Sequence, residues 1–275
     1  MSRTSALILI ALIFGAMATS MAAKDVVVSG STTVLPLGET AAEAFNAKQS
    51  DYHVSVSGGG TGAGITNIAE GRSSIAMASR EVTADEEEKY GKNFKEFLAG
   101  YDGICVAVSK QIFDAGVKAL TLDQVKKIYS GEITNWNQVG GPDKDIYVIA
   151  REDGSGTKDT FNEDVMGSKA AETKGVDEHG SVETGNAGVK TAITGSDKAI
   201  GYLGYSYATD GKVGLLSING VTPSPETIKD GSFKLARKLY MYTFGEPMEG
   251  SEAFLDFVLG AEGQAIAQKN GFIPI

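Results

Sequence analysis

The chain has 275 residues, with 25 Lys+Arg against 35 Asp+Glu for a formal net charge of −10, and is 42% hydrophobic and 22% charged. That composition fits a folded globular chain and excludes a disordered tail, a collagen-like repeat and a protein of many membrane spans. The acidity argues against a general nucleic-acid binder. One cysteine, Cys105, with two histidines excludes a disulfide framework and the usual zinc clusters.

Residues 1–23 read as a secretory signal peptide. Arg3 supplies the positive start, residues 7–14 the short apolar run, and Ala22 and Ala23 the small-residue cleavage site. The apolar run is short for a span, which needs about 20 apolar residues. No cysteine follows it to carry a lipid anchor, and no later stretch is long and apolar enough to span. A soluble, exported, periplasmic product is expected.

The mature chain alternates strands and helices. Residues 25–29 form a β-branched strand ending in Gly30-Ser31-Thr32-Thr33, and 37–47 a helix. Residues 52–57 alternate as a strand, run into Gly58-Gly59-Gly60-Thr61-Gly62, and lead to a helix over 63–70. A strand follows at 74–78. Thr83-x-x-Glu86 and Thr121-x-x-Gln124 are capping-box patterns, each opening a helix. Residues 103–109 form an apolar strand. Another strand at 146–150 ends at Arg151, and Gly154-Ser155-Gly156-Thr157 leads to a helix near 159–165. A helix at 186–194, strands at 199–203 and 239–243, and a terminal helix at 251–268 complete the pattern. Such alternation predicts α/β units on largely parallel sheets.

Three times a strand ends in a Gly/Ser/Thr turn that opens a helix at once: at 30–33, 58–64 and 154–157. A helix N-terminus leaves about four backbone N–H groups without intrahelical partners and adds partial positive charge. Glycine lets an anion approach the backbone, and Ser and Thr add hydroxyl donors. One such turn is ordinarily an N-cap. Three of them, with an arginine at a strand end, point to one oxyanion gripped from several sides.

Other chemistries find less support. Gly58-x-Gly60-x-x-Ala63 loosely fits a dinucleotide fingerprint, but Arg80 and then Glu81 stand where an acidic residue should close a second strand. The Walker and G-x-S-x-G patterns are absent. His53 lies inside a strand and His179 in a polar acidic stretch, so neither suggests a triad base. Cys105 reads as a buried inert thiol, Glu86-Glu87-Glu88 as a solvated helix face, and Tyr202, Tyr205 and Tyr207 as packing near a strand or cleft edge. Arg80 and Arg151 follow strand-like runs, at the carboxyl ends where open α/β sheets place ligands. An arginine fork suits a tetrahedral oxyanion. Asp102 precedes the apolar strand, and Asp153 sits within the third turn, where it stabilises the loop.

These segments, SGSTTVLPL, GGGTGAGI, MASR, YDGI, REDGSGT, TGNAGV and AIGYLGYSYA, resemble in order the phosphate-binding proteins of bacterial and archaeal phosphate ABC importers (PstS type) over nearly the whole mature chain. The resemblance implies a two-lobed periplasmic-binding-protein fold of type II: two α/β lobes, two crossing hinge strands, and the anion in the cleft. It implies lobe 1 over 24–106 plus 239–275 and lobe 2 over 107–238. It places Ser31, Thr32, Thr33, Thr61, Ser79, Arg80, Arg151, Ser155, Gly156 and Thr157 around phosphate, with Asn186 adding a contact. Arg80 stands where one branch of the family carries an aspartate, so Asp102 is expected to supply the carboxylate that accepts the proton of hydrogen phosphate. The implied partners are inorganic phosphate and a membrane permease, bound by a monomer with no cofactor and no metal. A secreted phosphatase would need a metal cluster or an activated nucleophile that the sequence does not display. Sulfate, molybdate or tungstate binding would share the architecture, and an adhesive scaffold lacks repeats or an apolar stripe to support it.

Overall fold

The computed structural model describes residues 23–168 and 174–275. The predicted signal peptide, apart from residue 23, lies outside the described residues. Among the described residues, no helix is long and apolar enough to cross a membrane.

The strands in chain order are β1 (Lys24–Gly30), β2 (Tyr52–Gly58), β3 (Ile75–Ala78), β4 (Phe94–Val108), β5 (Ala119–Leu120), β6 (Tyr147–Arg151), β7 (Gly180–Glu183), β8 (Ala199–Gly204), β9 (Gly214–Leu215), β10 (Ser217–Ile218) and β11 (Ala236–Phe244). They run β2-β1-β3-β11-β4-β8-β6-β7, with β9 pairing on β4 and β5 with β10 apart as a small ribbon. β1, β2 and β3 are parallel to one another, as are β6, β7 and β8. The long β4 belongs to both halves. Its residues up to Gly103 pair antiparallel with β11, and from Ile104 onward it pairs with β8. β4 and β11 therefore run side by side where one half passes into the other. This is the α/β architecture that the strand–helix alternation predicts, with mixed rather than purely parallel pairing, in the two-lobed form that the family resemblance implies.

Each lobe closes around its own core. In the first, Val28, Leu37, Ala41, Met77 and Phe254 are buried together, with Phe45 edge-on to Phe254. In the second, Trp136, Tyr129, Phe161 and Tyr202 are fully buried, with Phe161 and Tyr202 stacked at 3.9 Å. Full burial of a large apolar side chain stabilises by about 1.5–3 kcal/mol. The C-terminal segment returns to the first core, where Val258, Ala267 and Phe272 are buried.

Local signals explain most boundaries. Both predicted capping boxes form: Thr83 Oγ1 accepts from Glu86 N and Thr121 Oγ1 from Gln124 N. The predicted single helix over 251–268 is two, Glu249–Leu259 and Ala261–Lys269, because Gly260 is extended (ψ 172°) between them. The first half of β4 lay hidden because its charged and half-exposed residues mask the alternation. The helix near 159–165 begins earlier, at Gly156, and widens into a π-turn over Asn162–Met166.

Candidate anion site between the lobes

Each of the three predicted turns sits at the carboxyl end of a strand and opens a helix. After β1, Gly30 adopts a φ of +133°, and a Cβ there would lie 2.3 Å from the Met77 carbonyl, so only glycine fits. Ser31 Oγ accepts from Thr33 N at 3.2 Å and shapes the turn. After β2, Gly60 leads into the helix Thr61–Ala69 with Thr61 buried. After β6, Ser155 caps the helix Gly156–Phe161 by accepting from Lys158 N.

The turns meet across the cleft. Gly62 N donates to the Gly154 carbonyl at 3.1 Å. Thr33 and Thr157 hydroxyls lie 3.1 Å apart. A Cβ on Gly156 would sit 2.5 Å from Thr61 Oγ1 and 2.7 Å from Ser79 Oγ. Thr61 Oγ1 in turn accepts from Ser79 N at 3.1 Å and faces Ser79 Oγ at 3.3 Å. Asn186 Nδ2 reaches Thr33 Oγ1 at 3.0 Å and Thr32 Oγ1 at 3.3 Å. The structure is thus a closed form, with first-lobe hydroxyls bonded to second-lobe groups. Ser79 also lines a cavity of about 390 Å³ walled from both lobes.

Arg151 ends β6 and is 1% exposed. Its Nε and Nη2 hold Glu152 at 2.8 and 3.0 Å, and Nη2 also donates to Thr32 Oγ1 at 3.1 Å. Its Nη1 is buried and finds no hydrogen-bond partner. A buried charged donor left unpaired is costly, and this one lies beside Thr32 and the Glu152 carboxylate. Burial pushes the Glu152 carboxyl up, but Arg151 outweighs it and holds the group below its ordinary value. Above Arg151, Tyr202 Oη accepts the Arg151 backbone N–H. Tyr207 Oη donates to the Thr32 carbonyl across the lobes at 2.9 Å, and burial pushes this phenol up to about 12.

Two of the residues singled out in the sequence are engaged by other protein groups. Arg80 does not offer its guanidinium to the hydroxyl ring. Its Nη1 and Nη2 grip Glu86 at 2.8 and 2.9 Å, and its Nε donates to Asp159 at 2.7 Å. The capping box explains this: it fixes Glu86 over the end of β3, within reach of Arg80, so Glu86 is not a merely solvated residue. Asp102, fully buried, is held by protein donors. Its Oδ2 takes Arg237 Nη2 at 2.8 Å and Nε at 3.1 Å, and its Oδ1 takes Tyr205 N at 2.9 Å. The cause is register: Arg237 on β11 lies directly opposite Asp102 on β4. Burial pushes Asp102 up, and Arg237 pulls against it.

Sequence reading missed Arg237. Its Nη1 donates to Thr157 Oγ1 at 3.0 Å and its Nη2 to Thr33 Oγ1 at 3.1 Å. Nothing local in the β11 sequence marks it; only its pairing with a residue 135 positions away does. Cys105 is buried, and burial pushes its thiol well up, consistent with an inert role. Among the described residues, no group of three or more His, Cys, Asp or Glu side chains could hold a metal ion.

Two sheets sharing a strand, with helix-opening turns from both halves facing one cleft, define a bilobal binding protein. A family model described as the PBP superfamily domain matches residues 16–262, and the chain belongs to that superfamily. Within it, the chain belongs to the PstS family: it is 34% identical over 257 residues to the phosphate-binding protein PstS of Bacillus subtilis, spanning 92% of this chain and 82% of that one. PstS of Borreliella burgdorferi is 31% identical over 92% of this chain and 90% of its own. A Clostridium perfringens structure, described as a phosphate ABC transporter substrate-binding protein with bound phosphate, superposes with a TM-score of 0.83. It is 38% identical, over 92% of this chain and all of that one. An ABC-type phosphate transport receptor from Vibrio cholerae superposes with a TM-score of 0.73 at 28% identity, over 91% of this chain and all of that one.

Proposed function

We propose that this protein captures inorganic phosphate outside the cytoplasm and delivers it to the membrane permease of an ABC importer, binding without chemistry. The observation that carries this reading is the buried, unpartnered Nη1 of Arg151 within a ring of hydroxyls and helix-opening turns. Phosphate lies between the lobes. Arg151 meets it through Nη1, and Thr32, Thr61, Ser155, Gly156 and Thr157 meet it through hydroxyl and backbone donors. Ser31, Thr33 and Asn186 hold those donors in place. Dehydrating a multiply charged anion is expensive, and only many charge-assisted hydrogen bonds offset it.

Asp102 serves as the counter-charge of Arg237. The Thr61–Ser79 hydroxyl pair, in which either oxygen can donate, supplies acceptor capacity for the proton of hydrogen phosphate. Arg80 acts outside the shell by tying the lobes together. Lobe 1 comprises 24–106 with 239–275 and lobe 2 comprises 107–238. The leader over 1–23 directs export to the periplasm, where the protein works as a monomer.

Calorimetry on ligand-stripped protein tests the reading. One phosphate should bind per chain, with sulfate, molybdate and tungstate weaker. Absence of phosphate binding, or turnover of a phosphate ester above that of an Arg151 variant, would overturn it.

A further inference from the structure

We infer that Arg237 is a positioning residue that fixes the polarity of the binding hydroxyls from behind; this rests on the phosphate reading above. A hydroxyl has one donor hydrogen and two acceptor lone pairs, whereas guanidinium N–H groups can only donate. Asn186 is also fixed as a donor toward the threonines, because its Oδ1 accepts from Gly204 N at 2.9 Å, which leaves Nδ2 facing Thr32 and Thr33.

The bonding then has one direction. Thr33 Oγ1 accepts from Arg237 Nη2 and from Asn186 Nδ2, which fills both lone pairs. Its own hydrogen goes to Thr157 Oγ1, 3.1 Å away. Thr157 Oγ1 accepts from Arg237 Nη1 and from Thr33, so its hydrogen is left for an anion. Thr32 Oγ1 accepts from Arg151 Nη2 and Asn186 Nδ2, so its hydrogen is likewise free to donate. Chains of hydrogen bonds polarise one another, which strengthens the last donor.

The fillers come from the second lobe and the hinge strand, and the hydroxyls of Thr32 and Thr33 from the first. Closure itself therefore converts these hydroxyls into one-way donors. Arg237 can do this because Asp102, opposite it on the neighbouring hinge strand, anchors the guanidinium through Nε and Nη2. Arg151 differs from it: Arg151 keeps a donor free, while every nitrogen of Arg237 is engaged by protein.

A mutant cycle on the full mature protein tests the inference, read as phosphate affinity by calorimetry after stripping, with melting temperature as the fold control. R237M is paired with D102N so that no carboxylate is left buried and unpaired. R237M/D102N should bind phosphate at least tenfold more weakly than wild type. In a T157V background, where the polarised hydroxyl is gone, the same two changes should cost less than threefold further. R237K keeps the charge but not the fork, and should also lose affinity in the wild-type background and little in T157V. If R237M/D102N fails to fold, R237K alone decides. Losses that multiply independently of T157V, or unchanged affinity, would overturn the inference. Failure of the wild type to bind phosphate would instead overturn the functional reading.

Discussion

Arg80 Nε donates to Asp159 Oδ2 at 2.7 Å, and the bond joins the end of β3 in the first lobe to the helix that opens with Ser155 in the second. Both side chains are largely shielded, at 9% and 24% exposed. Glu86 holds the other edge of the guanidinium within the first lobe, so of these two carboxylate contacts of Arg80 it is the Asp159 bond that crosses between the lobes.

Asp159→Asn should therefore speed phosphate release more than it slows capture. One charge-assisted bond of this kind, still open to solvent on the Asp159 side, contributes about 1 kcal/mol, or about fivefold in the dissociation rate. Stopped-flow measurement of association and dissociation separates the two. An effect confined to association would mean that the pair does not act in the closed form.

Gly156→Ala should block closure without harming the fold. The added Cβ meets Thr61 Oγ1 at 2.5 Å and Ser79 Oγ at 2.7 Å, both on the opposite lobe. In the stripped protein the helix tolerates or welcomes alanine. Overpacking costs about 1–3 kcal/mol, so phosphate affinity should fall about tenfold to a hundredfold while the melting temperature of the stripped protein holds. Calorimetry and thermal melts of the same preparation check both halves.

Arg151→Lys should weaken binding by about tenfold to a hundredfold, since a hydrogen bond to a charged group is worth about 1.5–3 kcal/mol and lysine's single nitrogen cannot reproduce the fork that places Nε and Nη2 on Glu152 and Nη1 apart from them. Titration of the variant with phosphate measures it.

Glu152 gives a pH signature. Burial opposes ionisation, but Arg151 keeps the folded-state carboxyl below its ordinary value of 4.5. A carboxyl whose pKa is lowered on folding adds stability that is fully present above the ordinary value and lost as pH falls through the lowered one. The melting-temperature advantage of wild type over Glu152→Gln should hold near neutrality and shrink below about pH 4.5. A gap that widens in acid would contradict this sign.

The α/β units and the three glycine turns that meet between the lobes were legible in sequence because their signals are local. Strand, glycine turn and helix start lie within a few residues of one another at Thr32, Thr61 and Ser155, and the capping boxes at Thr83 and Thr121 lie within four. What escaped depends on pairing between distant segments. Arg80 stands at a strand end as a ligand would, yet Glu86 and Asp159 claim its donors. Asp102 precedes an apolar strand with nothing nearby to show that Arg237 lies opposite. Only the register of β4 against β11 reveals that pair.

A crystal structure of the phosphate-loaded protein tests the central claim most directly. Phosphate should appear between the lobes within about 3.2 Å of Arg151 Nη1, touching the hydroxyls of Thr32 and Thr157. Phosphate bound elsewhere, with Arg151 Nη1 still unpartnered, would contradict the account.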